Sequence, residues 1–198
     1  NKLMVYDVLK SEEPKVIIPE SNVKMSWVKK IGNHLMVCYI RDAGDYIEHY
    51  NAQGQKIFDV QLPGKGSVSG FEANEKDTVC YYTYSSYLEP ATIYKYHLNS
   101  KKSESIIQSI TEFNLSGYEM KQEFFKDQQG RMIPIFLVHK KGILLDGKNP
   151  MFLYGYGGFN ISMIPSFNPW ILPFIAKGGI YAVVCLKGGG EYGEKWHE

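Results

Sequence analysis

The sequence predicts an all-β part followed by an α/β part, on the strength of three observations. Up to about Ile110, turn clusters separate short segments rich in Val, Ile, Tyr and Thr, and helical periodicity is absent. A repeat with offsets of 42 and 46 residues runs through these segments. After Ser103 the pattern becomes a hairpin, and then a strand, a glycine loop, a helical segment and a second strand, which is the order of a βαβ unit.

The repeat in the first part is the main clue to its architecture. Val37-Cys38-Tyr39 recurs as Val79-Cys80-Tyr81, and the segment from Tyr46 to Tyr50 has a counterpart from Thr92 to Tyr96. A period of about 40 to 50 residues with several strands per unit is typical of propeller blades, and two units are too few to close a ring. Residues 1–110 are therefore predicted to form an incomplete β-propeller, with a small β-sandwich as the alternative.

The second part, residues 111–198, begins with a predicted hairpin. Tyr118 to Phe125 and Ile133 to His139 have the composition of strands, and the turn Lys126-Asp127-Gln128-Gln129-Gly130 joins them. The run Met151 to Tyr154 follows a polar loop and is apolar on both faces, which predicts a buried parallel strand.

A short helix and another strand complete the predicted unit. Pro169 to Lys177 is predicted to be helical, and Gly178-Gly179 ends the helix before a second apolar strand, Ile180 to Leu186. Pro173 lies inside the helical segment, so the helix is predicted to be short, kinked, or to begin there.

The composition excludes several classes of partner. Apolar residues make up 44% of the chain, and a net charge of +1 leaves no electrostatic footprint, so we expect no nucleic-acid or membrane partner.

The cysteines Cys38, Cys80 and Cys185 are odd in number and widely spaced, which predicts buried free thiols. The five histidines share no metal-ligand spacing and are predicted to be surface or strand-packing residues, so no metal and no cofactor is expected.

The sharpest local feature is Tyr154-Gly155-Tyr156-Gly157-Gly158-Phe159, directly after the predicted parallel strand. Open α/β sheets bind their ligands at the carboxyl ends of strands, and serine hydrolases place part of the oxyanion hole in such a loop. The glycines expose backbone amides there, and Tyr156 adds a phenolic donor. The alternative is that the glycines only make a turn and the tyrosines only pack.

Other candidate motifs are weaker. Gly188 to Gly193 matches G-x-G-x-x-G, but a structural turn is the preferred interpretation. No G-x-S-x-G nucleophile motif occurs, and the similar spacing from Gly66 to Gly70 carries Val68 in place of serine and is interpreted as a propeller loop. Four carboxylates are assigned to turns, with capping or solvation as their role; they are Asp42, Asp45, Glu191 and Glu194.

Two motifs closely resemble the prolyl oligopeptidase family. They are Met151-Phe152-Leu153-Tyr154-Gly155-Tyr156-Gly157-Gly158-Phe159-Asn160-Ile161-Ser162 and Gly188-Gly189-Gly190-Glu191-Tyr192-Gly193-Glu194-Lys195-Trp196-His197. Weaker similarity extends through Ile135 to Gly142 and Ser86 to Tyr94. The resemblance implies the terminal blades of a β-propeller over residues 1–110 and the N-terminal part of an α/β-hydrolase domain over residues 111–198.

The resemblance also implies an activity. In that family a serine, aspartate and histidine triad cleaves short peptides on the carboxyl side of proline, and all three would lie beyond Glu198. Tyr156 corresponds to the side-chain donor of the oxyanion hole, and Phe159 corresponds to part of the proline pocket. The similar oligopeptidase B group lacks an aromatic residue at the position of Phe159. Where the family commonly has Asn-Ile-Arg before the triple glycine, this chain has Cys185-Leu186-Lys187, so contacts of that arginine are in doubt.

The expected partners follow from this resemblance. They are short proline-containing peptides and the remainder of a longer polypeptide, and the chain alone is expected to be inactive because it lacks the triad. A cytoplasmic location is expected, or a periplasmic one if the full protein carries a signal peptide. The alternatives from other classes are a non-catalytic propeller that binds partners and a dinucleotide-dependent enzyme built on Gly188 to Gly193.

Overall fold

A computed structural model of the chain describes residues 1–9 and 13–198. It opens with a small antiparallel sheet of two strands, β1 (Leu3–Val5) and β2 (Lys15–Ile18). Two antiparallel sheets of four strands follow, and then one mixed sheet of four strands.

Each of the two antiparallel sheets is a simple meander. The first contains β3 to β6, which are Lys24–Ile31, His34–Arg41, Gly44–Asn51 and Lys56–Asp59. The second contains β7 to β10, which are Ser67–Glu72, Val79–Ser86, Glu89–His97 and Lys102–Gln108. Every strand pairs with the next one in the chain, and four consecutive strands in this order make a propeller blade.

The sequence repeat falls on equivalent strands of the two sheets. Its first element lies on β4 and β8, the second strand of each sheet, and its second element lies on β5 and β9, the third. Cys38 and Cys80 are fully buried in one apolar core that both sheets share, as predicted for free thiols. Burial raises the pKa of the Cys80 thiol to about 12, so this group packs as a small apolar side chain.

The mixed sheet has the strand order β11-β12-β14-β13. These strands are Tyr118–Lys126, Met132–Lys140, Ile180–Cys185 and Met151–Tyr156, respectively. β11 and β12 form the predicted hairpin, and β13 and β14 pair in parallel, as expected for a βαβ unit.

The helices of the chain are short. The crossing between β13 and β14 contains a 3₁₀ turn (Pro169–Ile171) and the five-residue α1 (Leu172–Ala176), so the effect predicted for Pro173 is confirmed. A 3₁₀ turn (Leu115–Gly117) precedes β11, and α2 (Glu194–His197) ends the chain. Within the described ranges, no helix has both the length and the apolar character needed to cross a membrane.

One expectation about local structure is met only in part, and another is wrong. β13 pairs only with β14 among the described residues and lies at the edge of its sheet, so the side chains of Met151 to Tyr154 are 42% to 62% exposed. A parallel strand becomes buried only when neighbours cover its faces and its free edge, and here only β14 flanks it. The segment Gly66 to Gly70 enters strand β7 and is not a loop, because its residues pair with β8.

The blades and the mixed sheet share an interface made by two hairpin tips. Ala43, in the turn between β4 and β5, and Tyr87, in the turn between β8 and β9, are buried in the same core as Phe136 and Tyr181 of the mixed sheet. The Tyr87 ring lies edge-on to both of these rings, at 5.8 and 5.7 Å. The tips of two blade hairpins therefore complete the core of the second part.

A buried histidine connects the two blades. His49, on β5, is fully buried; its Nδ1 lies 3.1 Å from the Tyr96 hydroxyl, and its Nε2 lies 2.8 Å from Nδ1 of His34. Burial, and then the charge of His34, lower the pKa of His49 to about 4. The sequence predicted a strand-packing histidine, but it could not show this chain of hydrogen bonds between sheets.

We expect His49 to make stability pH-dependent. The unfolded chain takes up a proton near pH 6.5 and the folded chain only near pH 4, so stability falls as the pH falls between these values. The loss between pH 7 and pH 5 is about 2 kcal/mol. Urea unfolding of the wild type and of His49→Gln at both pH values measures it; equal pH slopes in the two proteins would contradict the assignment.

Candidate active site

Tyr156 is the last residue of β13 and stands at the carboxyl end of the parallel pair, opposite Cys185 in register. Its ring folds back over the following loop, since its hydroxyl is 4.0 Å from the place that a Cβ at Gly158 would occupy. Within the described residues, this hydroxyl makes no hydrogen bond. A phenol at a sheet edge with an unused donor is the type of group that can stabilise a developing negative charge.

Two glycine-rich loops support Tyr156 by packing backbone against backbone. A Cβ at Gly157 would stand 2.5 Å from the Lys187 carbonyl oxygen and 2.6 Å from the Leu186 Cβ. Gly188 has φ +99°, and a Cβ on it would overlap the Gly157 carbonyl. The Asn160 amide donates to the Gly188 carbonyl at 3.1 Å. The loop from residue 157 to 161 is therefore fixed on the triple-glycine turn.

This packing confirms the structural interpretation of Gly188 to Gly193. The Gly188 amide donates to the Trp196 carbonyl at 2.8 Å, so it is used inside the fold. The glycines match a dinucleotide motif in spacing, but here they permit close approach of two loops.

Phe159 and Asn160 form a left-handed turn in the first loop, with φ of 53° and 57°. Such a conformation costs a phenylalanine on the order of 1 to 2 kcal/mol. The buried Phe71 also adopts it, with φ of 59°, so the turn alone does not indicate function. The Phe159 ring is 84% exposed within the described part of the chain. The strained turn presents an aromatic ring to solvent beside the Tyr156 loop.

Glu191 contradicts the expectation of a solvated turn carboxylate. Its side chain is fully buried, and its Oε1 accepts a hydrogen bond from the Met163 amide at 2.6 Å. Its Oε2 is buried without a hydrogen-bond partner in the described part of the chain. Burial raises the pKa of Glu191. The carboxylate therefore ties the triple-glycine turn to the far end of the loop that carries Phe159, a role with no local sequence signal.

The other three turn carboxylates differ among themselves. Asp45 accepts a hydrogen bond from the Val68 amide at 2.7 Å, which links the two blades. Asp42 accepts from the Tyr192 hydroxyl at 3.3 Å, across the interface with the second part. Glu194 lies in the first turn of α2, as expected for a terminal carboxylate.

A cavity of about 530 Å³ lies beside β13, and Phe152 and Tyr154 of that strand line it. Its walls are mainly aromatic and come from four regions of the chain. They include Tyr87, Phe152, Tyr154, Trp170, Phe174 and Tyr181. Neither Tyr156 nor Phe159 lines it. The sequence could not indicate this cavity, because Tyr87 reaches it from a blade hairpin.

The packing of the two loops predicts an asymmetry between two glycines. Gly178→Ala should cost about 1 to 2 kcal/mol, since Gly178 has φ +86° and open space around it. Gly188→Ala should cost at least about 1 kcal/mol more, because its Cβ also overlaps the Gly157 carbonyl. Urea unfolding of both variants measures the difference, and equal losses would show that the loops yield without cost.

Comparison with known proteins places the first part in a family. The family model described as "Prolyl oligopeptidase, N-terminal beta-propeller domain" matches residues 1–109. A prolyl endopeptidase of Elizabethkingia miricola is 37% identical over 201 residues, which cover 100% of this chain and 28% of that protein. A prolyl endopeptidase of Dictyostelium discoideum is 35% identical over 193 residues, covering 94% of this chain and 25% of that protein.

Solved structures give the same result for the whole chain. One from a study of the "Role of Inter-Domain Dynamics in Catalysis and Specificity" in two prolyl endopeptidases superposes with a TM-score of 0.92 at 36% identity, covering 99% of this chain and 29% of that one. Prolyl oligopeptidase B from Galerina marginata, bound to a 35mer hydrolysis and macrocyclization substrate, superposes with a TM-score of 0.89 at 30% identity. The superposition covers 99% of this chain and 29% of that one. This chain thus spans just over a quarter of the length of these relatives.

Proposed function

The chain belongs to the prolyl oligopeptidase family, and from that membership we propose that it is part of a longer serine peptidase that cleaves short peptides on the carboxyl side of proline. The observation that carries the proposal is the Tyr156 hydroxyl, unengaged at the carboxyl end of a parallel strand and supported by two interlocked loops. Two relatives from Elizabethkingia species that match the full length of the chain are prolyl endopeptidases.

In this proposal, residues 1–110 are the terminal propeller blades and residues 111–198 are the first strands of an α/β-hydrolase domain. The mixed sheet supports the second assignment, since it combines an antiparallel hairpin with the parallel pair β13 and β14. The nucleophilic serine, with its aspartate and histidine, is supplied by sequence outside this chain, which contains no G-x-S-x-G motif. The chain alone is therefore inactive.

The chemistry assigned to Tyr156 is electrostatic. When the serine oxygen attacks the carbonyl carbon, the carbonyl oxygen gains negative charge and becomes a stronger hydrogen-bond acceptor. The Tyr156 hydroxyl donates to that oxygen, and the bond is stronger in the transition state than in the bound substrate. Because the two packed loops hold the Tyr156 side chain in place, the hydroxyl needs little reorganisation during the reaction.

Phe159 is assigned to the pocket for the proline side chain. Its ring is exposed next to the Tyr156 loop, which fits a residue that contacts a ligand better than one that packs. A flat aromatic face is complementary to the flat pyrrolidine ring. Short proline-containing peptides are therefore the proposed substrates. The cytoplasm is proposed separately as the location.

The test is an assay of the complete polypeptide on matched peptides with proline or alanine before the cleaved bond. Cleavage after proline that a serine-directed phosphonate abolishes is expected. A complete polypeptide that folds but cleaves neither peptide would instead favour a non-catalytic propeller that binds partners.

A further inference from the structure

Lys24 belongs to a blade, yet its side chain reaches the loop that follows β13. It is the first residue of β3, and its ammonium nitrogen lies 2.9 Å from the Asn160 Oδ1 and 3.3 Å from the Asn160 carbonyl oxygen. Within the described ranges, both hydrogen bonds of this half-buried ammonium go to Asn160. A single lysine of the propeller therefore holds one residue of the strained turn at two points.

The space that this lysine occupies is made by a glycine. A Cβ at Gly190 would overlap the Lys24 ammonium and the Asn160 side chain. The buried carboxylate of Glu191 is the next residue, and the positive charge of Lys24 opposes the rise that burial causes in its pKa. The ammonium thus lies in a gap between the two loops.

The turn needs such a contact because its backbone is strained. Phe159 and Asn160 are both left-handed, and such residues persist only where surrounding contacts determine them. The Asn160 amide already donates to the Gly188 carbonyl. Lys24 binds the other polar groups of the same residue, its side-chain oxygen and its carbonyl, so the turn is held from both sides.

We propose that Lys24 is a positioning residue that holds the Phe159–Asn160 turn, so that a strand of the propeller determines how strongly the site prefers proline. This inference rests on the proposed function for the assignment of Phe159 to the proline pocket. The contact between Lys24 and Asn160 itself stands independently of that assignment.

The test uses Lys24→Met in the complete polypeptide, which keeps the aliphatic stem and removes the charge. Lys29→Met is the matched control, because Lys29 lies on the same strand and its ammonium pairs with Glu72 of the propeller, at 2.7 Å. Hydrogen exchange of the amides of Asn160 and Ile161 should become about tenfold faster in Lys24→Met only. The ratio of kcat/KM for proline over alanine substrates should fall about three- to tenfold.

Asn160→Asp provides the conservative variant, since it keeps the side-chain acceptor and tolerates the left-handed conformation. It should keep both the exchange rate and the substrate ratio near those of the wild type. Exchange in Lys24→Met that equals the Lys29→Met control would overturn the inference. Faster exchange with an unchanged substrate ratio in an active enzyme would overturn it as well.

The proposed function fails in a different way. If the unsubstituted polypeptide does not cleave after proline, the assignment of Phe159 to the pocket is lost. The exchange rates still decide whether Lys24 holds the turn, because they do not depend on activity.

Discussion

Tyr156→Phe in the complete peptidase should lower kcat by about 10² to 10³ while changing KM little. The substitution removes one hydroxyl and keeps the ring that folds over Gly158, so the packing of the loop survives. The hydroxyl has no hydrogen-bond partner within the described residues, so its removal leaves no buried group unsatisfied. The loss therefore falls on the transition state, where the negative charge is largest.

Tyr154→Phe is the matched control for this experiment. Tyr154 lies two residues earlier on the same strand, so its side chain leaves the same face of the sheet, but it lines the aromatic cavity. It should retain the wild-type kcat within about twofold, since losing an exposed hydroxyl usually costs little. An unchanged kcat with a raised KM in Tyr156→Phe would assign Tyr156 to substrate binding and exclude the oxyanion role.

Features that depend on local pattern could be predicted from the sequence. The repeat around Cys38 and Cys80 located equivalent strands in two blades, because a strand buried in a shared core needs the same small apolar residue at the same place. The hairpin of β11 and β12 and the parallel pair of β13 and β14 followed from turn residues and apolar runs. Each of these signals is a pattern of neighbouring residues, although the repeat returns only 42 residues later.

Features that depend on contacts across the chain could not be predicted. Glu191 looked like a turn carboxylate, because its partner, the Met163 amide, lies 28 residues away. Lys24 and Asn160 are 136 residues apart, and nothing near either residue indicates the other. The exposure of β13 depends in the same way on its neighbours, since an apolar run reports what a strand prefers and not which strands flank it.

The second large effect is expected for Phe159→Ala. The ratio of kcat/KM for proline over alanine substrates should fall by the equivalent of about 1 to 3 kcal/mol, or about 5- to 150-fold. Proline has a ring that can lie on the phenyl face, whereas alanine has only a methyl group and less contact to lose. Matched peptides that differ only in this residue measure the ratio.

Stability separates a pocket residue from a packing residue. A phenylalanine in a core would lose about 3 to 5 kcal/mol on truncation, but the Phe159 ring is 84% exposed and should lose less than about 1 kcal/mol. Trp170→Ala is the control, because Trp170 is 88% exposed and lies outside the loop. It should leave the substrate ratio unchanged. If Phe159→Ala also leaves the ratio unchanged, the strained turn that presents this ring serves another purpose, and Phe159 is no part of the proline pocket.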